Sequence, residues 1–163
     1  MKNFESKIIV KALVEVGFIG SFPYAQGTIC SLIAALFGFY INIELGSEMT
    51  LIFAIVSGFI GLIVSKIYIK DKVDKDPGNV VIDELSGQLI VTATAGTSVI
   101  LNILAFILFR YFDILKPSII RKADNLKGAL GIMTDDWLAA IFASPIIIFL
   151  SQFFSVNYNW FWF

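Results

Sequence analysis

The chain alternates between long apolar stretches without charge and short segments rich in charged residues. The uncharged stretches cover residues 16–43, 49–65, 85–109 and 137–163. The charged side chains lie between them, in 1–15, 44–48, 66–84 and 110–136. Because a helix needs about 20 apolar residues to cross a bilayer, this pattern predicts several membrane-embedded helices.

The first two apolar stretches predict a helical hairpin. Residues 29–43 and 49–65 are separated only by the short charged segment Glu44–Glu48, where the chain would turn. Before them, residues 1–15 carry apolar side chains at helical spacing and mixed charge. They predict an amphipathic helix, and we expect no cleavable signal peptide there.

The distribution of Lys and Arg constrains how the third apolar stretch crosses the membrane. These residues cluster in 1–15, 66–84 and 110–136, whereas the turn at 44–48 has none. The positive-inside rule places the three basic segments in the cytoplasm and the turn outside. Both segments flanking 85–109 can be cytoplasmic only if this stretch doubles back near Gly96 as two short helices, and its Thr-rich centre suits such a break.

Composition supports membrane residence and a single domain spanning 1–163. Apolar residues make up 58% of the chain, charged residues 15%, and the mean hydropathy is +0.84. Soluble domains carry about 25% charged residues. The predicted fold class is therefore all-α, a compact helical domain with membrane-embedded helices. The formal net charge of −1 argues against nucleic acid as a partner.

Two features of the composition exclude familiar catalytic devices. The chain has no histidine, which excludes a Ser-His-Asp triad, a histidine base and a histidine-ligated zinc. It has one cysteine, Cys30, so no intramolecular disulfide can form. No basic residue follows Cys30 until Lys66, and we interpret this cysteine as a small residue that packs between helices.

Carboxylates flank the apolar stretches in three groups, each next to the predicted bilayer surface. They are Asp76 with Asp83 and Glu84, then Asp113, and finally Asp135 with Asp136. Converging carboxylates without histidine or thiol suit a hard cation such as Mg²⁺. Three basic side chains, Arg110, Lys116 and Arg121, are close enough in sequence to balance a bound phosphate.

The same residues also allow purely structural interpretations. Asp83 and Asp135 would serve equally as helix N-caps, with Glu84 and Asp136 favoured by the helix dipole. Arg110 and Asp113 would form an ordinary i,i+3 ion pair. Gly27-Thr28 at a helix start would either offer backbone N–H groups to a phosphate or form a simple turn and cap.

Taken together, these residues resemble the bacterial phosphatidylglycerophosphatase A family. The resemblance rests on five segments in the right order, covering most of residues 17–142. They are Gly20-x-x-Pro23-x-x-x-Gly27-Thr28, Asp76-x-Gly78, Val81-Ile-Asp83-Glu84-x-x-Gly87, Phe109-Arg110-x-x-Asp113-x-x-Lys116-Pro117-x-x-x-Arg121-x-x-Asp124 and Lys127-Gly128-x-x-Gly131-x-Met133-x-Asp135-Asp136-x-x-Ala139. Departures from the family pattern at Gln26, Pro77 and Ile82 concern local loop shape and leave the carboxylates intact.

The resemblance implies an all-helical, Mg²⁺-dependent phosphatase with several spans in the bacterial inner membrane and its active site facing the cytoplasm. Its substrate would be the membrane lipid phosphatidylglycerophosphate, and its product phosphatidylglycerol, a precursor of cardiolipin. We expect five metal ligands, namely Asp83, Glu84, Asp113, Asp135 and Asp136. Glu84, Asp113 and Asp136 would be catalytic, with Glu84 or Asp136 as general base.

Four further residues would bind the phosphate of the substrate, namely Thr28, Arg110, Lys116 and Arg121. The alternative is a small helical membrane protein without enzymatic activity, a transport or assembly subunit, whose carboxylates would serve ion passage. The position of the carboxylates distinguishes the phosphatase from the transport subunit, because a phosphatase needs them at helix ends and a transporter in mid-span. The oligomeric state stays open.

Overall fold

The computed structural model is all-helical, as the sequence predicts. It describes residues 2–70, 77–117, 120–121, 126 and 128–158, and these residues contain no strand. A short 3-10 helix, Ile19–Ser21, follows the first helix. The α-helices whose bounds lie within the described residues are α1 Lys2–Val14, α2 Gln26–Glu44, α3 Ser47–Tyr68, α4 Ile82–Ala95, α5 Val99–Leu115 and α6 Ala129–Tyr158.

Three of these helices are long and apolar enough to cross a membrane. They are α2, α3 and the part of α6 from Ala129 to Phe153. Large apolar side chains cover their outer faces: Leu36 is 62% exposed, Phe59 63% and Phe149 67%. A soluble protein would not leave so many such side chains in water, so these faces suit contact with lipid.

Helices α2 and α3 form the predicted hairpin. The helices are joined by two residues, and Gly46 in this connection has a φ of 89°. Thr50 near the start of α3 donates a hydrogen bond to Asn42 Oδ1 at 2.7 Å. A Cβ at Gly38 would lie 2.7 Å from Thr92, so this glycine lets α4 approach α2 closely.

The stretch 85–109 doubles back near Gly96, which confirms the arrangement that the Lys and Arg distribution required. Helix α4 ends at Ala95, Gly96 has a φ of 58°, and α5 begins at Val99. The side chains of Asn42 and Asn102 both donate to the Gly96 carbonyl, at 2.8 and 2.9 Å. The α4–α5 turn therefore lies at the same end of the bundle as the α2–α3 turn.

Helix α4 is the central helix of the bundle. Its Leu89 packs with Ala34 of α2 and Ala54 of α3. On another face, Val91 belongs to a cluster with residues of α5 and α6, including Phe109 and Ala139. Because α4 touches four helices, its first turn has a fixed position relative to all of them.

The N-terminal part of the chain holds the connection that leads into α4. Glu15, which is fully buried, accepts hydrogen bonds from Ser21 at 2.6 Å and from Asn79. The backbone N–H of Val81 donates to the Val14 carbonyl at 2.9 Å. These contacts fix residues 79–81 immediately before the carboxylates of α4.

Helix α6 begins earlier than the uncharged stretch suggested. It starts at Ala129, and so includes Asp135 and Asp136, whereas the charge-free stretch starts at Trp137. The helix can carry two carboxylates because both are buried by protein, with 6% and 2% exposure. A boundary read from charge alone assumes that acidic residues lie outside the helix, and here this assumption fails.

Candidate active site

All five predicted ligand carboxylates meet at the end of the bundle opposite the two turns. Three helices supply them: α4 gives Asp83 and Glu84, α5 gives Asp113, and α6 gives Asp135 and Asp136. The antiparallel arrangement of α4 and α5 brings the start of one helix beside the end of the other. Residues separated by about 50 positions in sequence thus share one centre.

The carboxylates divide into two overlapping groups. In the first group, one oxygen each from Asp83, Glu84 and Asp136 lies within 4.8 Å of the others. In the second group, the same holds for Asp113, Asp135 and Asp136. Asp136 belongs to both groups and is almost completely buried, with 2% exposure.

Several carboxylate oxygens in this centre lack a protein donor. Within the described part of the chain, Asp83 Oδ1, Glu84 Oε2 and Asp136 Oδ2 are buried and accept no hydrogen bond. Burial of a carboxylate oxygen without a partner costs roughly several kcal/mol unless a cation or a proton compensates it. The oxygen-only set of donors and its unsatisfied atoms therefore fit a hard divalent cation.

The pKa values of the two carboxyl groups at the start of α4 also favour a bound cation. Burial raises the pKa of the Asp83 carboxyl well above its ordinary value, and the charges of Glu84 and Asp136 raise it further. Burial also raises the pKa of Glu84, although hydrogen bonding to Asp83 and the charge of Arg110 oppose this effect. A bound cation would relieve this repulsion and keep both carboxylates ionised at neutral pH.

Two basic side chains flank the carboxylates. Arg110 Nη1 lies 2.5 Å from Asp113 Oδ2 and 3.9 Å from Glu84 Oε1. Lys116 Nζ lies 2.6 Å from Asp135 Oδ2. Lys116 ends α5 in a left-handed conformation, with a φ of 43°, and this conformation ends the helix where its ammonium group pairs with α6.

The N-terminus of α2 lies against the same centre. A Cβ at Gly27, the second residue of α2, would lie 2.0 Å from Glu84 Oε1 and 3.4 Å from Arg110 Nη1. Thr28 follows in the first turn and is half-buried. The first N–H groups of a helix lack intrahelical acceptors and favour anions, so this end of α2 suits a phosphate near Arg110.

The structure decides between some of the open interpretations. Asp83 is not an N-cap, because Val81 occupies the cap position of α4 and no side chain caps it. Asp135 is not a cap either, because it lies about two turns inside α6. Asp83 and Glu84 do lie in the first turn of α4, where the helix dipole favours them. The i,i+3 pair of Arg110 and Asp113 is formed.

Not every predicted residue is placed in the centre. Arg121 lies five residues beyond Lys116 and its side chain is exposed, and its role as a phosphate ligand stays a prediction. Three residues of the family-like segments, Asp76, Asp124 and Lys127, lie outside the described residues. Cys30 is fully buried and donates to the Val81 carbonyl at 3.1 Å, in agreement with a packing role.

Sequence reasoning missed the side chains that support the charged groups. Arg110 Nη1 donates to Ser31 Oγ at 3.5 Å, and Ser31 in turn donates to the Gly27 carbonyl at 2.9 Å. Trp137 Nε1 donates to Ser86 Oγ at 2.9 Å, which links α6 to α4 beside the carboxylates. Polar residues inside apolar helices were the available signal, but their partners depend on tertiary packing.

Fold and centre together define a class of protein. The three long apolar helices fit a membrane protein. A buried, oxygen-rich centre flanked by Arg, Lys and a helix N-terminus is suited to the hydrolysis or transfer of phosphate esters. The molecule thus has the features of a helical membrane enzyme with its reactive centre at one end of the bundle.

Comparison with known proteins identifies the family. The family model described as PgpA: Phosphatidylglycerophosphatase A matches residues 12–151. The chain is 40% identical over 144 residues to Phosphatidylglycerophosphatase A of Haemophilus influenzae, covering 86% of this chain and 88% of that protein. It is 33% identical over 143 residues to Phosphatidylglycerophosphatase A of Escherichia coli, covering 86% of this chain and 83% of that protein. The chain belongs to the phosphatidylglycerophosphatase A family, and the predicted resemblance is confirmed.

A third relative carries a different name. The chain is 32% identical over 144 residues to a Bacteroides thetaiotaomicron protein named "Putative phosphatidylinositol-3-phosphatase", covering 83% of this chain and 89% of that protein. Among solved structures, none matches the chain. All three relatives are named as phosphatases of phosphorylated glycerolipids, and the names differ in the headgroup.

Proposed function

We propose that the protein hydrolyses phosphatidylglycerophosphate to phosphatidylglycerol and phosphate, with Mg²⁺, in the bacterial inner membrane. The phosphatidylglycerol product would be available for cardiolipin synthesis. The observation that carries this proposal is the meeting of five carboxylates with Arg110 and Lys116 at one end of an apolar bundle. Its support from relatives is the name that two of them share.

Mg²⁺ would be held by the five carboxylates, directly or through water. The set fits because it is made of oxygen donors, three of them buried without a partner in the described structure, on Asp83, Glu84 and Asp136. When bound, Mg²⁺ polarises a phosphoryl oxygen and lowers the pKa of a coordinated water that can attack phosphorus.

The chain's own cationic groups would bind the substrate phosphate. Arg110 has a planar guanidinium that can hold two phosphate oxygens, and Lys116 adds a point charge beside Asp135. The N-terminal N–H groups of α2, with the Thr28 hydroxyl, would complete the phosphate pocket. Arg121 is a further candidate, because it follows Lys116 in the same segment.

A general base is available in the centre. Glu84 Oε2 and Asp136 Oδ2 are buried and accept no hydrogen bond from the described residues. Whichever of the two carboxylates holds the ion through water would take a proton from that water as it attacks. Asp113 is engaged by Arg110 and is better placed to orient the guanidinium than to accept a proton.

The placement of the centre agrees with access from the cytoplasm. It lies at the end of the bundle where α4 begins and α5 ends, and these helix ends adjoin in sequence the segments rich in Lys and Arg. The turn at residues 44–48, which carries no Lys or Arg, lies at the opposite end. By the positive-inside rule the end that holds the centre faces the cytoplasm. A phosphate at the tip of a lipid headgroup would reach the carboxylates there without crossing the bilayer.

The test is phosphate release by the purified protein in detergent. We expect release from phosphatidylglycerophosphate with Mg²⁺, none with EDTA, and a loss of at least about 100-fold in Asp136→Asn, consistent with removal of a group that acts in the transition state. Glu44→Gln is the matched control, because Glu44 is an exposed carboxylate at the other end of the bundle. Its activity should equal that of the unmodified protein.

A second substrate tests which of the two headgroups in the relatives' names this protein prefers. Faster release from phosphatidylinositol 3-phosphate than from phosphatidylglycerophosphate would reject the proposed headgroup and retain the reaction class. No release from either lipid by folded protein would favour the transport or assembly alternative. The position of the carboxylates at one end of the bundle, and not in mid-span, argues for the enzyme.

A further inference from the structure

We propose that the centre binds two divalent cations and that Asp136 is a ligand of both. This inference rests on the proposed function, because it concerns the number and arrangement of the ions in that same site. The first ion would be held by Asp83, Glu84 and Asp136, and the second by Asp113, Asp135 and Asp136. The observation that supports it is the division of the carboxylates into two groups of three.

The geometry of the carboxylates is too extended for one ion. Mg²⁺ takes oxygen ligands at about 2.0–2.1 Å, so ligands on opposite sides of one ion lie about 4.2 Å apart at most. Oxygens within each group of three lie within 4.8 Å of one another, close to this span. The five residues do not form one such group, and only Asp136 belongs to both. A carboxylate has two oxygens, and one residue can therefore serve two neighbouring ions.

The balance of charge favours more than one divalent cation. Among the described residues, Arg110 and Lys116 form ion pairs with these carboxylates, and the five carboxylates with these two side chains carry three negative charges when all are ionised. One divalent cation would leave the centre negative and unfavourable to a phosphate dianion. Two would make it positive by one charge, so the centre would attract the substrate.

The basic side chains are also distributed unevenly between the two groups. Asp113 and Asp135 of the second group are paired with Arg110 and Lys116, at 2.5 and 2.6 Å. In the first group, Glu84 is 3.9 Å from Arg110, and among the described residues no Lys or Arg forms an ion pair with Asp83 or Asp136. The first group therefore has the greater need for a cation. A single ion bound there would leave the second group with only Arg110 and Lys116 to balance its charge.

The buried oxygens give independent evidence that the first group takes a ligand. Asp83 Oδ1, Glu84 Oε2 and Asp136 Oδ2 have no hydrogen-bond partner in the described part of the chain. Asp136 is 2% exposed, so bulk water does not satisfy this oxygen. Paired ions, about 3.5–4 Å apart in known two-metal phosphatases, stabilise both the attacking and the leaving oxygen of a phosphoryl transfer.

The experiment counts Mn²⁺ ions bound to the full-length protein in detergent, without substrate. Mn²⁺ prefers the same oxygen ligands as Mg²⁺ and is paramagnetic. After equilibrium dialysis we expect two Mn²⁺ per chain and the electron paramagnetic resonance spectrum of a magnetically coupled pair. Asp83→Asn should lower the count to one and abolish the coupling. Asp136→Asn should abolish the coupling as well, whereas Glu44→Gln should change neither.

The outcomes separate this inference from the proposed function. One Mn²⁺ per chain without coupling, in protein that hydrolyses phosphatidylglycerophosphate, would overturn the two-ion centre and leave the function standing. Two coupled ions in protein that releases no phosphate from this lipid would support the centre and overturn the substrate. A count of two that is unchanged in Asp83→Asn would also overturn the assignment, because the second ion would then lie elsewhere.

Discussion

Substitution of Gly27 by alanine tests whether Glu84 must be held in its observed position. A Cβ at residue 27 would lie 2.0 Å from Glu84 Oε1, and Cβ atoms essentially never approach another non-bonded heavy atom closer than 3.0 Å. The carboxylate must therefore move by roughly 1 Å or more, and misplacement of a reacting group by about 1 Å can lower a rate about 100-fold. The helix itself should tolerate the change, since alanine is favoured over glycine in helices by about 0.5–1 kcal/mol.

We thus expect Gly27→Ala to lower kcat for phosphate release by about 100-fold and to leave the melting temperature in detergent unchanged or slightly raised. Gly78→Ala is the matched control, because no described atom lies within 4 Å of a Cβ at this residue. The loss should also be absent when Gly27→Ala is introduced into Glu84→Gln protein, since both changes act through one carboxylate. Activity of Gly27→Ala within a few-fold of the unmodified protein would show that Glu84 need not hold its observed position.

Two further substitutions test the packing that positions the centre. Asn42→Ala removes hydrogen bonds to the Thr92 and Gly96 carbonyls, at 2.9 and 2.8 Å, and should destabilise the protein by about 1–3 kcal/mol. Thermal unfolding in detergent measures this, and an unchanged melting temperature would contradict it. Gly20→Ala would place a Cβ 2.0 Å from the Asn79 carbonyl oxygen, which cannot move without its backbone. We expect a loss of about 1–3 kcal/mol, and equal stability of the variant and the unmodified protein would show that the loop adapts.

The type of ligand in the centre was predictable from the sequence, because it depends on which residues the chain contains. The absence of histidine and the single cysteine leave carboxylates as the ligands available, and these suit a hard cation. The order of the five family-like segments then points to one family, which the comparisons confirm. None of this requires knowledge of how the helices pack.

The partners of individual residues were not predictable, because they come from different helices. Arg110 pairs with its near neighbour Asp113, as spacing suggested, but it also contacts Ser31 of α2. Lys116 pairs with Asp135 of α6, and its left-handed backbone conformation has no signature in composition or periodicity. Such contacts are set by the relative position of helices, and this position depends on close approaches at residues such as Gly87, where a Cβ would lie 2.7 Å from the Phe109 ring.

Hydrophobic length and the placement of charge act locally along the chain. The helical class, the apolar spans and the doubling back of 85–109 therefore follow from the order of the amino acids. The packing of the helices was needed to show that the carboxylates form two groups sharing Asp136, and that Asp135 lies inside α6 and is not a cap. Burial within protein allows charges inside an apolar helix, and burial is a property of the whole bundle.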